Sequence, residues 1–251
     1  MRLLLPNLTA LLCTTLLHGP AWAAQATVAV AANFAEPIKA IAEVLQKSTG
    51  HTVQITLGST GKLYAQIQNG APFDVLLAAD ARTPQRLEAE GQAVAGSRFT
   101  YATGQLVLWS AKAGRVDDQG AVLKAANLGK VAYAAPKVAP YGAAAVEAMN
   151  RLGLSAALAP RLVQGESIGQ TFGFVFSGNA DVGFVALSQV LQGGRLRSGS
   201  MWLVPQNLYS PIRQDAVLLQ RGAQNEAALA LMRLLQSPDI KDLIRSYGYG
   251  V

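Results

Sequence analysis

Neutral polar side chains stand at two points in the first half of the sequence where a strand pattern gives way to a helix pattern. Asn33 follows a short β-branched run, and Ser59 and Thr60 lie in a glycine-flanked turn before a helical segment. The N–H groups at a helix start have no intrahelical partner and carry partial positive charge, so these positions suit an anion. Helix capping explains the same residues equally well, and Asn33 with Glu36 has the spacing of a capping box.

The turn at 58–62 also resembles part of a nucleotide-binding phosphate loop. That motif requires glycine at position 56 and serine or threonine at position 63, where this sequence has Thr56 and Leu63. We therefore exclude a nucleotide site at this turn. Lys62 lies in the first turn of the predicted helix, where its charge opposes the helix dipole, so we expect its side chain to face solvent or a bound anion.

The second half of the sequence has two junctions of the same kind. Tyr141 follows Pro140 at the start of a predicted helix, where its phenol can donate a hydrogen bond or simply pack. Ser167 lies in a glycine-flanked turn and is most simply the N-cap of the next helix. Together the four junctions would line a cleft with neutral donors, which suits a fully deprotonated dianion because hydrogen bonds to a charged acceptor are stronger. Such a lining would also exclude HPO₄²⁻ if no acceptor is offered for its proton.

These junctions need a framework in which strands and helices alternate along the chain, and the apolar periodicity predicts one. The first block has predicted strands at 27–31, 52–57 and 74–79 and predicted helices at 34–47, 60–68 and 83–90, the last with Thr83 as its N-cap. Three such units in a row favour a mainly parallel sheet flanked by helices, which binds ligands beyond the carboxyl ends of its strands. Because a second block follows, we predict a two-lobed α/β protein with lobe one at 24–103 plus 207–251 and lobe two at 104–206.

The composition and the N-terminus indicate an exported globular protein. The chain has 251 residues, of which 51% are apolar and 14% charged, and a formal net charge of +6. Residues 1–23 read as a signal peptide cleaved after Ala23, with a basic start, a short apolar run and a small-residue cleavage site. Cys13 lies inside that segment, so the mature protein has no cysteine. The basic residues are scattered, which argues against a nucleic-acid partner.

Several segments resemble, in the same order, the molybdate-binding periplasmic proteins of ABC transporters. These segments are AVAANF (28–34), GSTGKLYAQIQNGAPFDVLLAAD (58–80), APYG (139–142), GES (165–167), DVGFVALS (181–188) and SYGY (246–249). The resemblance implies a type II periplasmic-binding-protein fold, closure of two lobes around one molybdate or tungstate ion, and delivery to a permease at the inner membrane. It also implies a monomer in the periplasm that has no cofactor and no side chain bound directly to metal.

The resemblance further implies which residues contact the oxyanion. Carried over by position, they are Asn33, Ser59 and Thr60 from lobe one, with Tyr141 and the backbone N–H of Ile168 from lobe two. Many members of the family have a tyrosine where this sequence has Ala186. The phenol of Tyr141 is then expected to supply the donor that position 186 lacks.

Two alternatives remain open at this point. One is a binding protein for another anion, such as sulfate or phosphate. The other is an exported enzyme, for which Asp74 and Asp80 are the candidate acid–base pair. A strand-end turn and a helix cap explain these two carboxylates more simply, and His51 is the one histidine of the mature chain. We therefore expect a binding protein and no enzymatic activity.

Overall fold

The computed structural model describes residues 23–251; the predicted signal peptide, apart from Ala23, lies outside the described residues. Within 23–251 the strands are β1 (Gln25–Ala31), β2 (Thr52–Gly58), β3 (Val75–Leu77), β4 (Phe99–Gly104), β5 (Leu106–Ser110), β6 (Val131–Ala134), β7 (Leu162–Gly165), β8 (Val182–Ala186), β9 (Leu191–Gln192), β10 (Arg195–Leu196), β11 (Ser200–Leu203) and β12 (Ile212–Leu218). The helices are α1 (Ala35–Thr49), α2 (Thr60–Gln68), α3 (Arg82–Ala89), α4 (Pro140–Arg151), α5 (Ser155–Leu158), α6 (Ile168–Phe176), α7 (Leu187–Val190), α8 (Glu226–Leu234) and α9 (Pro238–Ser246). None of these helices is long and apolar enough to cross a membrane.

The first five-stranded sheet has the order β2-β1-β3-β12-β4. β1 pairs in parallel with β2 and β3, whereas β12 is antiparallel to both of its neighbours. Four of the five strands therefore run in one direction. The carboxyl ends of β1 and β2, which precede the first two polar junctions, lie side by side because Ala31 is in register with Gly58.

The second sheet repeats this plan with the order β11-β5-β8-β6-β7. Here β5 is the strand that is antiparallel to both neighbours, and β6 pairs in parallel with β7 and β8. The chain passes from the first sheet to the second between Gly104 and Leu106 and returns between Leu203 and Ile212. The prediction of a two-lobed α/β protein with mainly parallel sheets is confirmed.

The packing of α1 shows how apolar spacing builds the first lobe. Phe34, Ile38, Ile41 and Leu45 lie on one face and are fully buried against the sheet, together with residues of α8 and α9. This spacing of three and four residues is that of one helix face. The helix ends at Gly50, which has a left-handed φ of 76° that a residue without Cβ adopts readily.

The start of α3 differs from the prediction. Thr83 is not the N-cap but lies inside the helix, which begins at Arg82. Asp80 performs the capping role, since its Oδ1 accepts a 2.7 Å hydrogen bond from the Thr83 N–H. A carboxylate just before a helix can accept a hydrogen bond from an N–H group of the first helical turn. The sequence pattern instead favoured the Thr83 hydroxyl as the N-cap.

Candidate ligand-binding site

The starts of four helical segments converge on one small cavity between the lobes. The cavity measures about 10 Å³, which is roughly enough for one water molecule. All five predicted contact residues line it, and no lining residue is charged. The lining residues are Ala31, Ala32, Asn33, Gly58, Ser59, Thr60, Ala79, Ala139, Pro140, Tyr141 and Ile168.

Ser59 occupies the N-cap position of α2 but does not cap the helix. Its backbone is extended, with φ −77° and ψ 146°, yet its hydroxyl makes no capping bond. Its Oγ is buried and has no hydrogen-bond partner within residues 23–251, a property that only Asn33 Oδ1 shares among their buried side-chain atoms. An unpaired buried polar group costs about 1–3 kcal/mol, so its place in a cavity favours a role in ligand binding over capping.

Thr60 is buried beside Ser59 and is held by the neighbouring strand connection. Its Oγ1 accepts a 2.9 Å hydrogen bond from the Ala79 N–H. A hydroxyl has one proton and two lone pairs, so this bond leaves the Thr60 proton available to another acceptor. The connection after β3 thereby fixes the orientation of a second donor at the cavity.

Asn33 lies in a single 3₁₀ turn, Ala32–Phe34, ahead of α1. The predicted capping box is not formed, because Asn33 makes no capping bond and Glu36 pairs instead with Lys39 at 2.8 Å. Both hydrogens of Asn33 Nδ2 are engaged, one by Gln214 Oε1 at 2.8 Å and one by Tyr249 Oη at 2.9 Å. In this arrangement the unpaired side-chain atom of Asn33 is therefore its oxygen and not its amide nitrogen.

The second lobe contributes a phenol and a helix start. Tyr141 is the second residue of α4, and its buried Oη accepts a 3.1 Å hydrogen bond from Gln214 Nε2. Burial raises the pKa of the Tyr141 phenol well above its usual value, so the group remains a protonated donor. Ile168 is the first residue of α6, where a backbone N–H has no intrahelical partner. The prediction that Ser167 caps this helix is confirmed by the 3.2 Å bond from the Gln170 N–H to Ser167 Oγ.

Direct contacts join the two lobes beside the cavity. The Gly61 N–H in α2 donates a 2.9 Å hydrogen bond to the carbonyl of Val138, which precedes α4. Lys62 contacts Glu166 at 2.5 Å in an exposed ion pair, and neither residue lines the cavity. Of the two expected orientations of Lys62, toward solvent or toward the anion, the structure shows the first: the side chain is exposed. The lobes are closed over the cavity in this structure.

A buried polar cluster behind the cavity was missed in the sequence. Gln214 and Tyr249 bond to Asn33, and Ser188 Oγ donates to the Asn33 carbonyl at 2.8 Å. The adjacent polar residues Gln214 and Asp215, directly before the apolar end of β12, are the sequence signal that could have revealed it. Ala186, where the resemblance leads us to expect a tyrosine in many members of the family, is buried in the second lobe and does not line the cavity.

The candidate acid–base pair has structural roles. Asp74 accepts a hydrogen bond from the Thr27 N–H at 2.7 Å and pairs with Arg221 at 2.9 Å. Asp80 caps α3, and burial raises the pKa of its carboxyl. Within residues 23–251 no group of three or more histidine, cysteine, aspartate or glutamate side chains is placed to hold a metal ion.

Comparison with known proteins gives consistent matches along the chain. The family model for bacterial extracellular solute-binding proteins matches residues 26–250. The sequence is 56% identical over 247 residues to the molybdate-binding protein ModA of Azotobacter vinelandii, covering 98% of each chain. It is 54% identical over 230 residues to the ModA protein of Rhodobacter capsulatus, covering 92% of this chain and 90% of that one. The solved structure of the Azotobacter vinelandii periplasmic molybdate-binding protein is similar with a TM-score of 0.87 and 42% identity, covering 90% of this chain and 99% of the other.

Proposed function

Because the chain belongs to the family of bacterial extracellular solute-binding proteins, we propose that it captures molybdate or tungstate between its lobes for an ABC importer. Two relatives that are more than half identical are named as molybdate-binding proteins, and each match covers at least nine-tenths of both chains. The family membership also favours binding over catalysis, as expected from the sequence.

One observation at the site carries the proposal: the buried hydroxyl of Ser59 has no partner among residues 23–251, and it lies in a cavity whose described lining has no charged residue. A tetrahedral dianion supplies acceptors in several directions. We propose that it contacts Ser59, Thr60, Tyr141 and the Ile168 N–H, with Asn33 completing the lining. Hydrogen bonds to a charged acceptor are roughly twice as strong as those between neutral groups, so these donors can hold the ion without a cation. No cofactor and no direct metal ligand are required.

The same assignment implies where the protein acts and what it interacts with. We propose a periplasmic monomer released by cleavage after Ala23, which delivers its ion to a permease in the inner membrane and binds no nucleic acid. The two crossings between the sheets support a division into lobe one at 24–103 plus 207–251 and lobe two at 104–206. The helix starts at the interface would then close on the ion as the lobes meet.

Calorimetric titration of the mature protein tests this function. Molybdate and tungstate should bind, and sulfate and phosphate should bind much more weakly. Ser59→Ala should weaken molybdate binding by roughly tenfold or more, because a buried hydrogen bond to a charged group contributes about 1.5–3 kcal/mol. Ser177→Ala is the matched control, since that exposed hydroxyl bonds only to two helix carbonyls and the Asn179 amide, away from the cavity. Equal affinity for sulfate and molybdate would overturn the proposed ligand.

A further inference from the structure

Gln214 is a fully buried amide that joins two cavity residues from opposite lobes. Its Oε1 accepts the 2.8 Å bond from Asn33 Nδ2, and its Nε2 donates the 3.1 Å bond to Tyr141 Oη. Asn33 and Tyr141 line the cavity, whereas Gln214 does not. Gln214 lies in β12, the strand by which the chain returns to the first sheet. It can therefore act on a ligand only through its two neighbours.

The two hydrogen bonds that link Asn33, Gln214 and Tyr141 have a donor-to-acceptor direction. An amide accepts at one atom and donates at the other, and a phenol has a single proton. Because Gln214 donates to Tyr141, the Tyr141 proton is left for a third acceptor. If both carboxamides were reversed, the Asn33 N–H would be released and Gln214 would take the Tyr141 proton instead. In either direction only one of the two cavity side chains can donate to a ligand.

The neighbouring groups favour the direction seen in this structure. Tyr101 Oη lies 3.1 Å from Gln214 Oε1, and its proton can be donated to that oxygen or to the Ala78 carbonyl at 3.0 Å. Asn33 donates its second hydrogen to Tyr249 Oη at 2.9 Å. In these contacts a Tyr101 proton can be donated to Gln214 Oε1, and an Asn33 hydrogen is donated to Tyr249 Oη. Both agree with the observed direction, in which these carboxamide atoms are an oxygen and a nitrogen respectively. These bonds engage both hydrogens of Asn33 Nδ2 and the Gln214 Oε1, so reversing either carboxamide alone would break them.

We propose that Gln214 is a positioning residue of the oxyanion site, which directs the Tyr141 proton toward the cavity and holds the Asn33 amide nitrogen away from it. The proposal rests on the proposed function, because it assumes that the cavity holds an oxyanion.

A double-mutant cycle on molybdate affinity tests this assignment. Gln214→Leu and Tyr141→Phe should each weaken binding by roughly tenfold, the loss of one hydrogen bond to an anion. The double variant should bind no more weakly than Tyr141→Phe alone, because Gln214 then has no proton to direct. Losses that multiply in the double variant would overturn the assignment. Failure of the wild-type protein to bind molybdate would overturn the proposed function, and this assignment with it.

Two further variants separate positioning from packing. Tyr101→Phe removes a hydroxyl from the other side of Gln214, but the Asn33 amide still donates to Gln214 Oε1, so affinity should change by no more than about twofold; a loss equal to that of Tyr141→Phe would contradict the assignment. Gln214→Glu keeps the shape of the side chain. Its carboxylate accepts the Tyr141 proton, however, so the variant should bind molybdate more weakly at neutral pH. A protonated carboxyl again offers one donor and one acceptor, and burial raises its pKa. The affinity relative to wild type should therefore recover as the pH falls from about 8 to 5, and a flat ratio would contradict the assignment. The titratable groups around this position are the phenols of Tyr101, Tyr141, Tyr209 and Tyr249 and the carboxyls of Asp80 and Asp215.

Discussion

Gly61 lies where the two lobes meet, and adding a single methyl group there should oppose closure. A Cβ at position 61 would lie 2.9 Å from the Val138 Cα and 3.0 Å from its Cβ, and backbone atoms cannot yield as a flexible side chain can. Overpacking of this kind costs about 1–3 kcal/mol. The cost falls only on the closed form, because the two residues belong to different lobes. A ligand that requires closure must then supply this energy.

We therefore expect Gly61→Ala to weaken molybdate affinity by about 2 kcal/mol, or roughly 30-fold. The melting temperature of the ligand-free protein should not fall, since alanine is favoured over glycine in a helix by about 1 kcal/mol. Calorimetry gives the affinity, and small-angle scattering with and without molybdate reports closure. Gly173→Ala in α6 is the matched control, because its Cβ would meet no atom within 4 Å. Unchanged affinity in Gly61→Ala would refute the argument that this contact limits closure.

Three further perturbations have defined outcomes. Lys62→Met should weaken molybdate binding by roughly two- to fivefold at low salt, and high salt should reduce the difference because the ion pair is exposed. The Lys62 hydrogen bond lowers the pKa of Glu166 from its usual 4.5, so the pair stabilises the closed form above that pH and the difference should vanish as the pH falls through the lowered value. Arg98→Met should destabilise the protein by about 3 kcal/mol in urea unfolding without changing affinity, because it leaves the buried carboxylate of Asp215 without its 2.6 Å partner. Since burial raises the pKa of Tyr141, molybdate affinity should stay constant from about pH 7 to 9.5, and stability should decline above pH 10 as phenols ionise in the unfolded chain.

The elements with strong local patterns could be predicted from the sequence. The limits of α2 agree with the predicted 60–68, and β2 extends one residue beyond the predicted 52–57, since flanking turn residues bound each segment. The strand Phe99–Gly104 was not predicted as an element, because FTYATG has neither a long apolar run nor a regular alternation. Its partner β12 lies more than 100 residues away, and the pairing that forms the strand is not visible locally.

The candidate site was predictable to a similar degree. Helix-start chemistry indicated Asn33, Ser59, Thr60 and Tyr141, whereas Ile168 came only from the resemblance, because a backbone donor has no side-chain signature. Gln214 was missed, since its bonds reach residues that are remote along the chain. Sequence spacing can place a residue at a helix start, but it cannot tell which atom of a carboxamide is already engaged.

The position of β12 has a consequence for how the polypeptide assembles during synthesis. β12 separates β3 from β4 in the first sheet, so β4 lacks a neighbour until residues 212–218 have been made. Residues 106–203 hold every strand of the other sheet and can pair earlier. The half of the protein that begins the chain is thus the last to be completed.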